Sequence, residues 1–120
     1  MKTNTYSFRP EFRLLNKKDY SHVFDKAFKL NNKAFTLLAR ENNLSHPRLG
    51  LVIAKKNIKL ACQRNGIKRL LREHFRLQQK EYANFDLVVL TRRDIALLNK
   101  TDIIGYRNDL FARFCKRCPK

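Results

Sequence analysis

The chain has 120 residues, enough for one compact domain and too few for two. Its 27 lysines and arginines against 10 acids leave a formal net charge of +17, beyond what solubility requires, which points to a polyanionic partner: RNA, DNA or an anionic membrane. No apolar run is long enough to span a bilayer, and the opening MKTNTYSFRP lacks the apolar core of a signal peptide.

Residues 1–11 read as a loose, basic lead-in. Asn16 is placed to cap a first helix, with Asp19 where an acid favours a helix N-terminus. Tyr20, Val23, Phe24, Ala27 and Phe28 then recur at the spacing of one helical face. Lys33 to Arg40 alternates as a strand, with Phe35, Leu37 and Ala39 on one side and Ala34, Thr36 and Leu38 on the other. Asn42 to Pro47 is turn chemistry, so Arg48 to Ala54 is expected to return as the second strand of a hairpin. A basic helix from about Lys59 to Gln79 follows. Phe85 to Thr91 is a short, nearly continuous apolar strand suited to a sheet centre. A helical turn around Asp94 to Leu98 and a last helix from Thr101 to Cys115 complete the chain, with residues 116–120 as a frayed tail. The expected fold is α+β: a single-domain α–β sandwich in the order α-β-β-α-β-α, with helices packed on a sheet of four strands or fewer.

The basic helix carries most of the functional information. At about 100° per residue, Arg64, Lys68, Arg72 and Arg76 follow one another four apart, and Asn65 and Arg69 widen the stripe. Ile67, Leu70, Leu71 and Phe75 take the opposite side. Like charges four apart destabilise a helix by roughly 0.2–0.5 kcal/mol per pair, so the stripe calls for an external anion. The apolar side is only as wide as a core-facing helix needs, which disfavours a membrane-surface role. No helix-turn-helix or zinc module for duplex DNA is evident. RNA fits best, because arginine's forked donors suit phosphate. Asn65 is open to two readings, a base or sugar contact or an ordinary solvated side chain. Tyr20, Phe24, Phe35 and Tyr106 likewise fit either base stacking or the core.

Protein-based catalysis finds little support. The acids are spread singly, with no paired carboxylates for a two-metal site and no histidine pair for acid–base cleavage. There is no glycine-rich phosphate loop. Cys115-x-x-Cys118 suggests zinc or redox chemistry, but a structural zinc needs four ligands, and Cys62, His22, His46 and His74 supply no second paired motif. Reduced thiols in a cytoplasmic setting are the expectation. A binding protein is indicated, with neither a catalytic residue nor a metal site of its own.

Arg48-x-Gly50-Leu51-Val52-x-x-Lys55-Lys56, followed by Ala61-x-x-Arg64-Asn65-x-x-Lys68-Arg69-x-x-Arg72-Glu73-x-Phe75, resembles the signature of the bacterial ribonuclease P protein subunit. Phe12-Arg13-Leu14, Asp19-Tyr20-x-x-Val23-Phe24 and the FDLVVLTR strand are similar to that family as well, so the likeness runs from Phe12 to Phe114. It implies a protein cofactor that binds a catalytic RNA and promotes removal of the 5′ leader of precursor tRNA. It further implies magnesium held by the RNA rather than the protein, and neither a membrane nor a small-molecule substrate. On this resemblance Lys55, Lys56, Arg64, Asn65, Lys68, Arg69 and Arg72 contact the RNA subunit. Tyr20, Phe24, Thr36 and Leu38 line a cleft for the single-stranded leader. The family also implies a left-handed βαβ crossover, against the usual rule. One departure stands out: Gly66 occupies a position where the family's motif usually has a second arginine. The rival reading is a structural RNA-binding protein of ribosomal type.

Overall fold

The computed structural model describes residues 13–14, 17–25, 27–42, 44, 46–82 and 84–117. The proposed cap Asn16, the lead-in 1–11 and Cys118 fall outside them. The order is α1 (Lys17–Asp25), β1 (Phe28–Asn31), β2 (Phe35–Glu41), β3 (Arg48–Val52), α2 (Ala61–Gln78), β4 (Phe85–Thr91) and α3 (Lys100–Arg117). Short 3-10 turns at Gln79–Tyr82 and Arg93–Leu97 lead out of α2 and toward α3. The α+β class stands, with one more strand than the sequence pattern predicted.

That strand is β1. Phe28 continues the helical spacing of Tyr20 and Phe24, yet α1 ends at Asp25 and Phe28 opens a strand instead. Asn32 makes the turn: its Oδ1 accepts from the Ala34 and Phe35 amides at 3.1 and 3.0 Å. The hairpin is therefore β1–β2, antiparallel, with Leu30 opposite Leu37. The expected hairpin between β2 and β3 does not form. The sheet order is β1-β2-β4-β3; β4 pairs antiparallel with β2 and parallel with β3, placing α2 in a βαβ unit. The reason lies in β4: Asp86, Leu87, Val88 and Val89 are all buried, and a strand apolar on both sides is best satisfied between two neighbours.

The two sheet faces are covered unequally. On one, Phe35, Leu37, Ala39, Leu87 and Val89 meet Ile67, Leu71 and Phe75 of α2 and Leu110, Phe111 and Phe114 of α3 in a single core. Ala34, expected beside Thr36, precedes the strand and joins this core instead. Tyr82 sits among the aromatics, its ring 5.8 Å from Phe75 and 5.5 Å from Phe111. His74 lies 4.7 Å from Phe111; burial, aided by the Arg107 charge, lowers its pKa to about 4. Arg107 donates to the Leu70 carbonyl at 3.0 Å and ties α3 to α2. Asn99 caps α3 by accepting from the Asp102 amide at 2.8 Å.

Among the described residues the other face carries α1 alone of the helices, with a small cluster of Leu14, Val23 and Val88 and the half-buried Tyr20, Ala27, Leu38, Val52 and Leu90. Val23 is the one buried residue α1 contributes. Polar contacts complete the docking. Asp86, its side chain 1% exposed, accepts from Arg48 Nε and Nη2 at 2.9 and 2.7 Å and from Asn42 Nδ2 at 2.7 Å. Arg48 then reaches Asp19 of α1 at 3.4 Å. The fork onto Asp86 raises the Arg48 pKa, and both oxygens of the buried carboxylate have donors.

Candidate nucleic-acid interface

The basic surface begins at the link between β3 and α2. The amides of Asn57 and Ile58 donate to the Ala54 carbonyl, turning the chain at Lys55 and Lys56. The Asn57 side chain donates to the Thr91 carbonyl at 3.1 Å, and Ile58 is buried in the main core. Both exposed lysines are thus carried on a turn pinned to the end of β4. Leu60 begins α2 without a side-chain cap, and no acid stands in the first turn. The partial positive charge of the helix N-terminus is left for an external anion.

Along α2 the burial follows the predicted division. Ile67, Leu71 and Phe75 are buried. Asn65, Lys68, Arg69 and Arg72 line a cleft of about 470 Å3 together with Arg13, Glu73 and Arg76. Arg13 arrives because residues 13–14 lie along the outer edge of β3, where the Leu14 amide donates to the Leu49 carbonyl at 3.0 Å. Arg13 was visible in sequence only as part of the Phe12-Arg13-Leu14 match. Among the described residues, Lys55, Lys56, Lys68 and Arg69 join no ion pair. Arg64 differs from Lys68 and Arg69. Its Nη1 donates to the Ile58 and Lys59 carbonyls at 3.0 and 2.8 Å, so part of its guanidinium fastens the loop that carries the lysines.

A second surface lies across the sheet. Tyr20 and Phe24 occupy successive turns of α1, their ring centroids 6.4 Å apart. Tyr20 lies on Gly50, where an added Cβ would come within 2.7 Å of its ring. Its hydroxyl accepts from the Leu51 amide at 3.2 Å, so Tyr20 positions α1 against β3. Phe24 is 46% exposed, unusual for a large aromatic on a helix that otherwise buries its apolar face. Sheet pairing puts Leu38 beside Val88, and Thr36 beside Leu90, which itself faces Val52. The row is closed by Asn31, whose Oδ1 accepts from Thr36 Oγ1 at 2.9 Å and from Arg92 Nη1 at 3.0 Å. The sequence pattern missed Asn31 and Arg92: one sits in the unrecognised strand, and the other is an unremarkable arginine until the fold brings them together. The aromatic alternatives also resolve. Phe35 is fully buried and Tyr106 packs against the main core.

The two surfaces offer cations, peptide donors and one exposed aromatic. Among the described residues no group of three or more histidine, cysteine, aspartate or glutamate side chains comes together as a metal site, and no helix is long and apolar enough to cross a membrane. Such an arrangement can hold a sugar–phosphate backbone and stack bases.

Comparison with known proteins gives one result throughout. The family model described as Ribonuclease P matches residues 8–115. The ribonuclease P protein component of Vibrio vulnificus strain YJ016 is 42% identical over 113 residues, covering 94% of this chain and 96% of the relative. That of Proteus mirabilis strain HI4320 is 42% identical over 114 residues, covering 95% and 96%. The solved RNase P protein of Thermotoga maritima superposes with a TM-score of 0.75 at 30% identity, over 90% of this chain and 98% of that one. The Staphylococcus aureus protein, at 24% identity and a TM-score of 0.78 over 85% and 94%, shares the fold.

Proposed function

This chain belongs to the family of ribonuclease P protein components, subunits of a tRNA-processing endoribonuclease, and from that premise we propose how its two surfaces divide the work. The basic surface of Lys55, Lys56, Arg64, Asn65, Lys68, Arg69 and Arg72 docks on the catalytic RNA. The opposite cleft of Tyr20, Phe24, Thr36 and Leu38 receives the single-stranded 5′ leader of precursor tRNA. The observation that carries this reading is the pairing of a strongly cationic helix on one side of the sheet with an exposed aromatic over a half-covered strand face on the other.

The mechanism follows from charge and geometry. Docking cations replace the counterions that RNA would otherwise condense, so the holoenzyme folds and binds substrate at lower magnesium than the RNA alone. On this reading magnesium is held by the RNA, and no step is routed through an ion on the protein. Leader nucleotides laid between α1 and the sheet extend recognition beyond the tRNA body. The protein supplies no general acid or base, and it acts in the cytoplasm, where its RNA partners are made.

Reconstitution tests the proposal. RNA-free protein is expected to leave precursor tRNA intact, and protein with its RNA to remove the leader at a magnesium concentration where the RNA alone is slow. Cleavage by the RNA-free protein would overturn the mechanism.

A further inference from the structure

A second cleft, of about 570 Å3, opens between α2, the loop before it, the turn at Arg93–Leu97 and the start of α3. Its floor is the edge of the main core: Ile58, Ile67, Leu70, Ile95 and Ile103, contributed by the loop before α2, by α2, by the turn at Arg93–Leu97 and by α3. Its rim carries Lys56, Lys59, Arg69 and Lys100, and no acid lines it. Gly66 forms part of the wall, and a Cβ placed there meets nothing within 4 Å. A larger residue at 66 would therefore project into free space at that wall without meeting the rest of the protein.

We infer that this cleft takes one unstacked nucleobase of a bound RNA, the flanking phosphates resting on Lys56, Lys59, Arg69 and Lys100. Two observations choose RNA over other occupants. Every charged residue of the lining is a cation, matching an apolar ring joined to anions on both sides. Arg69 also lines the basic cleft of α2, so a strand lying on the stripe reaches this opening without crossing another surface. The floor offers apolar contact and little hydrogen bonding, so the cleft selects for an unpaired base and hardly for its identity. The inference rests on the RNA-binding reading of the basic surface and adds a site that reading does not require.

Four of the chain's six isoleucines, Ile58, Ile67, Ile95 and Ile103, line this cleft, and none lines the Tyr20–Phe24 surface. Isoleucine methyl resonances therefore report on it selectively. The full chain is titrated with a hexamer of adenylate and with an abasic ribose-phosphate hexamer, overall binding being followed in parallel by anisotropy. The adenylate hexamer is expected to displace these four methyl signals by ring current, and the abasic hexamer to bind without displacing them. Gly66→Leu, whose folding is checked by its melting curve, is expected to abolish the displacement and weaken adenylate binding about tenfold. It should leave abasic binding unchanged. Lys100→Ala keeps the cleft open and is expected to reduce binding of both hexamers. Equal displacement by the abasic hexamer, or displacement that persists in Gly66→Leu, would overturn the inference. So would displacement by an acidic helical peptide but not by adenylate. Failure of both hexamers to bind would instead remove the RNA-binding reading beneath it.

Discussion

The sheet is sealed on one face and half-open on the other, and the two faces divide stability from recognition. On the sealed face, α2 and α3, 18 residues each, close over interlocked aromatics. On the open face a 9-residue helix contributes one buried side chain and is held by Asp19, Tyr20 and neighbouring polar contacts. Apolar burial at roughly 25 cal/mol per Å2 favours the first face heavily. The second has the character of surfaces that yield to a ligand: few buried contacts and a large exposed aromatic.

The contrast can be tested from its strongest consequence downward. Phe111→Ala on the sealed face should remove about 3–5 kcal/mol of stability, read as a fall in the urea midpoint at unchanged slope; a loss below about 1 kcal/mol would mean this core is not the main source of stability. Acidification should act on the same face. His74 binds its proton at a pKa of about 4 in the folded chain but near 6.5 when unfolded. Between these values the unfolded state holds more protons, so stability falls as pH drops through 6.5 and continues to fall toward 4. From pH 7 to pH 5 the loss should be on the order of 1 kcal/mol, the half-buried ring being partly screened by solvent, and His74→Phe should show a correspondingly flatter melting profile over that range. On the open face, Phe24→Ala should change stability by no more than about 0.5 kcal/mol. Its effect should appear in the preference of the holoenzyme for precursor over mature tRNA, which should fall about tenfold if one stacked base is lost. A melting-temperature drop as large as that of Phe111→Ala would put Phe24 in the core and dissolve the distinction.

How much of this was legible in the sequence depended on the range of the interaction. The stripe of α2, the alternation of Phe35, Leu37 and Ala39, and the double-sided burial of β4 follow from local periodicity and appear as expected. β1 was hidden because Phe28 satisfies a helical spacing, and four residues, Phe-Lys-Leu-Asn, carry too little alternation to compete. The wrong hairpin partner for β2 has a similar cause. Asn42 to Pro47 is good turn chemistry, but turn residues do not specify whether the next strand returns as a neighbour or skips a place. Within the site, Asp86 reads as one scattered acid until Arg48 and Asn42, 38 and 44 residues away in sequence, converge on it. Arg64 lies on the predicted stripe, yet only the folded loop shows two carbonyls taking its donors. These are long-range or backbone-mediated interactions, and side-chain periodicity carries no record of them.

The strand order bears on how the molecule is born. β3 is synthesised before β4, its neighbour among the named strands of the sheet, and β2 gains its second neighbour from the same segment. As the chain leaves the ribosome, only the β1–β2 hairpin can close from local contacts. The Asp86 carboxylate that neutralises Arg48 arrives 38 residues late, and the sheet cannot be completed before Thr91 has emerged. The basic helix is thus made before the sheet that will support it, and loop-closure entropy makes this assembly slower than that of a locally connected fold of equal size.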